Sequence, residues 1–385
     1  MVYLDNSATA PPLPAVIDEV ARVMRESDWN PSALYRPAID AERIVRECRE
    51  DLKRRLGAER VVFTSGGTES DNLAVLGASG RLRGPGAFLF SAAEHAAVLE
   101  QRAALESRGH TVRIIPLTRE GLIDTAALEY MAGADTALIA VTEAASETGA
   151  IQPLWDVIAI RNRKCPAALV FADAAQGFMR TGATQSLLSR GVDMVGISAH
   201  KIHGPKGVGA LAMSGRVKLR PLAFGGGQED GMRPGTENVA GIAGLRAALA
   251  AFDSCGFDAR QRLFAHKLQL LNSLRNAVPD IQINGPDPSS DKAAPHIVSI
   301  SMPGIGGEPL VHALEREGVY VGTGSACSSR KKRRGEGFIS MGVEQERADR
   351  AIRVSLSPWN TMGDMAAAAE AIAKAHESIY QYRKR

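Results

Sequence analysis

Cysteine is scarce in this sequence, net charge is small, and no long hydrophobic run is present. The four cysteines, at positions 48, 165, 255 and 327, are scattered through 385 residues. Such spacing excludes a disulfide framework and leaves no pair with zinc-ligand spacing, so a reducing compartment is the simpler expectation. Basic and acidic residues number 46 and 43, a net charge of +3. No general nucleic-acid or membrane role follows from that balance. No apolar run reaches membrane-spanning length. The start, Met1-Val2-Tyr3-Leu4-Asp5-Asn6, lacks the basic-then-apolar order of a signal peptide. A cytoplasmic location is therefore expected. What is present, 45% hydrophobic and 23% charged residues, is the composition of a soluble globular protein. The length suits two or three packed units rather than one core.

Short apolar, β-branched runs recur between helix-like stretches. They are Val61-Val62-Phe63-Thr64, Ala87-Phe88-Leu89-Phe90, Val112-Arg113-Ile114-Ile115, Ala137-Leu138-Ile139-Ala140-Val141, Ala168-Leu169-Val170-Phe171 and Met194-Val195-Gly196-Ile197. Each is nearly unbroken and bounded by polar residues or glycine, as strands buried on both faces are. The stretches between them are long enough for crossover helices, so a mostly parallel sheet with helices on both faces is expected. Residues 207–213 read as one further strand. After about residue 250 the pattern changes to a long charged helix over 259–277, strand candidates at 297–301 and 352–356, and a helix over 362–380. That predicts a large α/β domain over 13–250 and a smaller α+β domain built from 1–12 and 251–385.

The chemistry-bearing residues cluster just after these strands. Ser198-Ala199-His200-Lys201 follows one of them, which places Lys201 at a strand's carboxyl end, where ligands of open α/β sheets bind. Desolvation there lowers an amine's pKa and makes it nucleophilic. A lone lysine in such a loop is ordinarily just solvated, but Ser198 and His200 beside it are suited to a phosphate. Asp173 closes an apolar strand, a costly place for a carboxylate without a cationic partner. It either caps the next helix or meets a cationic ring nitrogen, and Gln176 reaches the same side. Thr64-Ser65-Gly66-Gly67-Thr68-Glu69-Ser70-Asp71-Asn72 leaves a strand and opens a helix, whose free N–H groups make an anion site. It is not a Walker A loop. His95 follows another strand and is placed either for structure or for ring stacking and proton transfer.

Taken in order along the chain, these segments resemble the cysteine desulfurase family, the NifS/IscS-type members of the class V aminotransferase-like enzymes that use pyridoxal 5′-phosphate (PLP). The resemblance spans nearly the whole chain. It also includes Tyr3 to Thr9, Asn30-Pro31-Ser32, Glu94-His95, Gly225 to Glu229, Arg233 to Asn238, Gly324-Ser325-Ala326-Cys327-Ser328-Ser329 and Ile352-Arg353-Val354-Ser355-Leu356. It implies the PLP-dependent transferase fold type I. It implies that Lys201 carries PLP, that His95 stacks on its ring, and that Asp173 and Gln176 pair with the ring nitrogen and hydroxyl. Gly67, Thr68, Ser198 and His200 would hold the phosphate, joined by Thr236 from the second subunit of a homodimer. Arg353 would bind the substrate carboxylate, a task that suits its planar fork of donors, and Asn6 would lie close by. L-cysteine would be converted to L-alanine, with the sulfur held on Cys327 as a persulfide for an acceptor protein such as an iron–sulfur scaffold.

Two segments depart from the family's pattern. Where it usually carries Asn-Asn-Glu, this chain has Ala145-Ser146-Glu147, so Ser146 lacks the amide that meets the cofactor hydroxyl and the substrate. The segment after Cys327 contains Arg330-Lys331-Lys332-Arg333-Arg334. Such a run is expected to be solvated. It also lowers a nearby thiol's pKa and is placed to guide an acidic sulfur acceptor. The competing readings are a selenocysteine lyase on the same fold and a weakly active PLP-binding scaffold.

Overall fold

The computed structural model describes residues 1–27, 29–182, 184, 187–255, 259–323 and 336–383. Thirteen strands are found among them: β1 (Val2–Tyr3), β2 (Arg60–Thr64), β3 (Ala87–Ser91), β4 (Thr111–Ile115), β5 (Thr136–Ala140), β6 (Leu169–Asp173), β7 (Met194–Ser198), β8 (Gly209–Met213), β9 (Gln282–Ile283), β10 (Ile297–Ser301), β11 (Val319–Tyr320), β12 (Gly322–Thr323) and β13 (Ala351–Ser355). Seven form the main sheet in the order β2-β8-β7-β6-β5-β3-β4. The pairs from β7 to β4 are parallel, whereas β8 runs antiparallel to both β2 and β7. The connection from β7 to β8, residues 199–208, holds no crossover helix, and without one a strand returns antiparallel.

Strands β3, β6, β7 and β8 are buried along their whole length, which explains why they read as unbroken apolar runs. Side chains alternate between two cores. Val61, Phe63, Leu89 and Ile139 face a core shared with Leu52, Ile158 and Leu245. Val62, Phe88, Phe90 and Leu138 face another with Leu73, Val98 and Leu105. Helices thus cover both faces, and the fold is a mostly parallel α/β sheet of the class expected. The helix Arg36–Leu56 shows the local rules: proline at its first turn, basic residues in its last, and Gly57 at φ 66° to end it.

A separate antiparallel sheet, β12-β13-β10-β9, lies in the C-terminal part. Its core joins Val298, Ile300, Ile352 and Val354 to Leu270, Leu314 and Ile372, and also to Leu4. The chain's first residues belong there because β1 pairs with β11 and Asp5 bridges to Ser355. The last helix, Met362–Arg383, is a little longer than 362–380.

Candidate active site

Strands β2, β3, β5, β6 and β7 all end at one edge of the sheet, and a cavity of about 180 Å³ opens there. Its walls come from the residues just past each strand, the edge at which α/β sheets bind ligands. Gly67, Thr68, His95, Ser146, Asp173, Gln176, Ser198, His200 and Lys201 all line it. Nine of the residues expected from the sequence thus converge on one space. Asn6 and Arg353 stand beside it, and Thr236 is exposed and not among the lining residues. Cys327 and the run 330–334 lie outside the described residues.

Lys201 follows β7 directly. Its Nζ donates to the carbonyls of Ser7 (2.6 Å) and Ala8 (2.8 Å). Desolvation, with the nearby Arg353 and Arg180 charges, lowers its pKa to about 8, against the pull of Asp173 and Asp5. Asp173 is buried, and its Oδ1 accepts from the Ala175 N–H at 2.9 Å. This is the turn-capping contact, but the described residues 174–182 after it form turns and not a regular helix. Burial raises the Asp173 pKa, opposed by that hydrogen bond and by His95 and Lys201. Two more buried carboxyls stand near, Asp71 and Glu94. Burial and then the Asp173 charge hold both well above the ordinary range. Like charges in one dry space cannot all ionise, so Asp173, which faces His95 and Lys201, is the one that carries the negative charge.

His95 caps the helix Ala96–Leu99, its Nδ1 accepting from the Ala97 N–H at 3.1 Å. The ring is open to solvent on the cavity side, yet protein around it and the Lys201 charge lower its pKa, against the pull of Asp173. Desolvation brings His200 to about 4, and its Nδ1 meets Thr9 Oγ1 at 3.0 Å. Both imidazoles are therefore neutral near pH 7.

The helix Gly67–Ser79 begins at the cavity without a side-chain cap. Ser198 Oγ is buried there with no hydrogen-bond partner among the described residues. An orphaned hydroxyl beside uncapped helix amides is a place prepared for an anion. The amine of Lys201, the carboxylate of Asp173 and the amide of Gln176 lie around the same cavity. The residues present fit PLP.

Arg353 on β13 is 3% exposed. Its Nη2 pairs with Asp5 Oδ1 at 2.8 Å, its Nη1 donates to the Ser146 carbonyl at 3.1 Å, and its Nε has no partner among the described residues. The Asn6 side chain donates to the Ser355 carbonyl at 2.9 Å, next to the Ser7 carbonyl that receives Lys201. Sequence reasoning missed the part played by the Ser7 and Ala8 carbonyls, and also Thr142 and Asp71 in the wall. Asp71 sits in the motif 64–72, and its position one helical turn past Gly67 was the available signal. The carbonyls left none.

Cys48, Cys165 and Cys255 are free thiols. Burial pushes Cys48 up to about 12 and raises the other two as well, the reverse of an activated thiol.

Residues 2–367 match the family described as Aminotransferase class-V. The chain is 32% identical to cysteine desulfurase IscS of Clostridium botulinum over 369 residues, covering 94% of this chain and 91% of the relative. It is 34% identical to cysteine desulfurase IscS of Dictyoglomus turgidum over 367 residues, with the same coverage. Among solved structures, a NifS-like protein superposes with a TM-score of 0.88 at 32% identity, covering 98% of this chain and 99% of that one. The protein SspA, solved in complex with cysteine, superposes with a TM-score of 0.78 at 27% identity over 94% of this chain and all of its own.

Proposed function

The chain belongs to the class-V aminotransferase family, on its cysteine desulfurase branch, and we propose that it removes sulfur from L-cysteine, releases L-alanine and holds the sulfur on Cys327 as a persulfide. The observation that carries this reading is the convergence at one sheet edge of a desolvated amine, a buried carboxylate and an orphaned hydroxyl at a helix start. When bound, PLP supplies an electron-withdrawing ring that stabilises the charge left at the substrate Cα.

The chain's residues divide the remaining work. Gly67, Thr68, Ser198 and His200 would hold the phosphate. With PLP bound, Asp173 would keep the ring nitrogen protonated, Gln176 would meet the ring hydroxyl, and His95 would stack on the ring. Lys201 would hold the cofactor through Nζ, and the same amine would take the Cα proton; a pKa of about 8 suits both tasks. Arg353, whose Nε has no partner among the described residues, receives the substrate carboxylate between Asn6 and Ser146. The Cys327 thiolate attacks the substrate sulfur: an S–S bond forms, the Cβ–S bond breaks, and its electron pair stays with the carbon, which takes up one proton, equal in number to the one Cys327 gave up as a thiol, and becomes the alanine methyl group. The acidic acceptor protein that then collects the sulfur is guided by residues 330–334.

A homodimer belongs to this reading, with Thr236 completing the phosphate site of the second subunit. Its exposed position supports that, as do the exposed apolar side chains of Leu34 (98%) and Phe224 (90%). A cytoplasmic setting keeps Cys327 reduced.

Intact-mass analysis after mixing with cysteine tests the proposal, together with an absorbance spectrum. Wild type is expected to gain the mass of one sulfur atom. Cys327→Ser is expected to bind PLP but to gain no sulfur and release no sulfide. Sulfide release retained in Cys327→Ser and lost in Cys165→Ser or Cys255→Ser would move the role to another thiol. Lys201→Ala is expected to lose the near-visible absorbance and all alanine production; a yellow, active variant would refute the cofactor assignment.

A further inference from the structure

Behind the cavity wall lies a second layer of buried polar groups, given no part so far beyond the Arg180 charge that helps to lower the Lys201 pKa. Arg180 is 3% exposed. Its Nη2 donates to the Ala175 carbonyl at 2.9 Å and to Gln176 Oε1 at 3.0 Å. Its Nε and Nη1 have no hydrogen-bond partner among the described residues. The charge it carries is answered by Glu143, which is fully buried and accepts from the hydroxyls of Thr181 and Thr184. The other ionisable groups that feel it, His200, Lys201, His203 and His296, are basic.

A guanidinium can only donate, whereas an amide offers one accepting and one donating end. Arg180 therefore decides which end of Gln176 faces inward: Oε1 turns toward Arg180, and Nε2 turns away. One Nε2 proton goes to the Ser7 carbonyl at 3.0 Å, a group that only accepts and that also takes the Lys201 ammonium. The second proton remains for the cavity, which Gln176 lines. We propose that Arg180 is a positioning residue that locks the Gln176 amide with its NH₂, not its carbonyl, toward the ring oxygen of the cofactor. The proposal rests on the desulfurase reading, in which that oxygen belongs to PLP. Without Arg180, only the Ser7 carbonyl among the described residues still orients the amide, and whenever Gln176 turns its carbonyl to the cavity two acceptors face each other.

A donor aimed at an ionising oxygen stabilises its charged form and lowers its pKa. In the PLP-loaded protein, Arg180→Met should therefore raise the pH midpoint of the near-visible absorbance and weaken PLP binding by roughly 3- to 10-fold, the effect of one hydrogen bond. Arg180→Lys, which also only donates, should restore part of both. The deciding measurement is the same substitution in a Gln176→Ala background, where Arg180→Met should move the midpoint no further. An equal shift with and without Gln176 would mean that the Arg180 charge acts on the cofactor directly, and the proposal would fall. An unchanged midpoint in Arg180→Met would also overturn it. If Arg180→Met does not fold, Arg180→Gln takes its place in both backgrounds with the same expectations. Wild type that binds no PLP would sink the desulfurase reading itself, which separates the two failures.

Discussion

An amine with a pKa of about 8, as burial gives Lys201, is partly neutral near physiological pH and suited to the proposed roles of nucleophile and base without a separate activator. Ser146 is the residue at which this site departs from its relatives' pattern, and its contacts say what the departure leaves intact. The Ser146 carbonyl, not its side chain, receives Arg353 Nη1, so the hold on Arg353 survives a side-chain exchange. Restoring an amide with Ser146→Asn is expected to leave PLP affinity nearly unchanged and to raise turnover. A single neutral hydrogen bond contributes about 0.5–1.5 kcal/mol net, so at most roughly a tenfold gain in kcat is expected. Steady-state kinetics beside a PLP titration checks this; a fall in kcat would show that the site is built around serine.

At the scale of elements, the cofactor end of the main sheet depends on how closely β8 passes the start of the helix Gly67–Ser79. A Cβ on Gly209 would lie 2.7 Å from Gly66 Cα and 2.7 Å from the Ile197 carbonyl oxygen. These are backbone atoms of neighbouring elements, so neither yields by a change of rotamer. Gly209→Ala is expected to cost about 1–3 kcal/mol of stability, as overpacking does. It should also loosen PLP, because Gly66 leads into the helix amides proposed for the phosphate. Thermal melting and PLP dissociation measured on one preparation check both effects. A lowered Tm with unaltered PLP dissociation would detach the helix start from cofactor binding.

Across the whole molecule, buried carboxyls set how stability varies with pH. Glu143 is pushed up to about 7, chiefly by burial, although Thr181, Thr184 and Arg180 oppose the shift. With a pKa raised above the ordinary 4.5, the folded chain binds more protons than the unfolded chain between those values. The contribution of this group is therefore fully present below about pH 4.5 and is lost as pH rises through 7. Glu143→Gln should remove that slope, so that Tm between about pH 5 and 7 falls less steeply, or rises more, than in wild type. Melting curves across the range measure it, and parallel curves for the two proteins would show that Glu143 does not titrate there.

Much of this was written in consecutive residues. Strand burial on both faces was legible from runs such as Phe88 to Phe90, and the placing of Lys201 from the strand that ends at Ser198, because period, turn chemistry and propensity act over a few neighbouring positions. The short β7–β8 connection even held the sign of the antiparallel β8, although the runs alone did not reveal it. Tertiary structure alone decided which distant groups meet. The Ser7 carbonyl reaches Lys201 across 194 residues of chain and the Gln176 amide across 169. Asp5 reaches Arg353 across 348. Backbone carbonyls carry no residue identity, and a guanidinium reads alike whether solvated or buried. Their partners follow from how the packed elements close on one another, which no local pattern encodes.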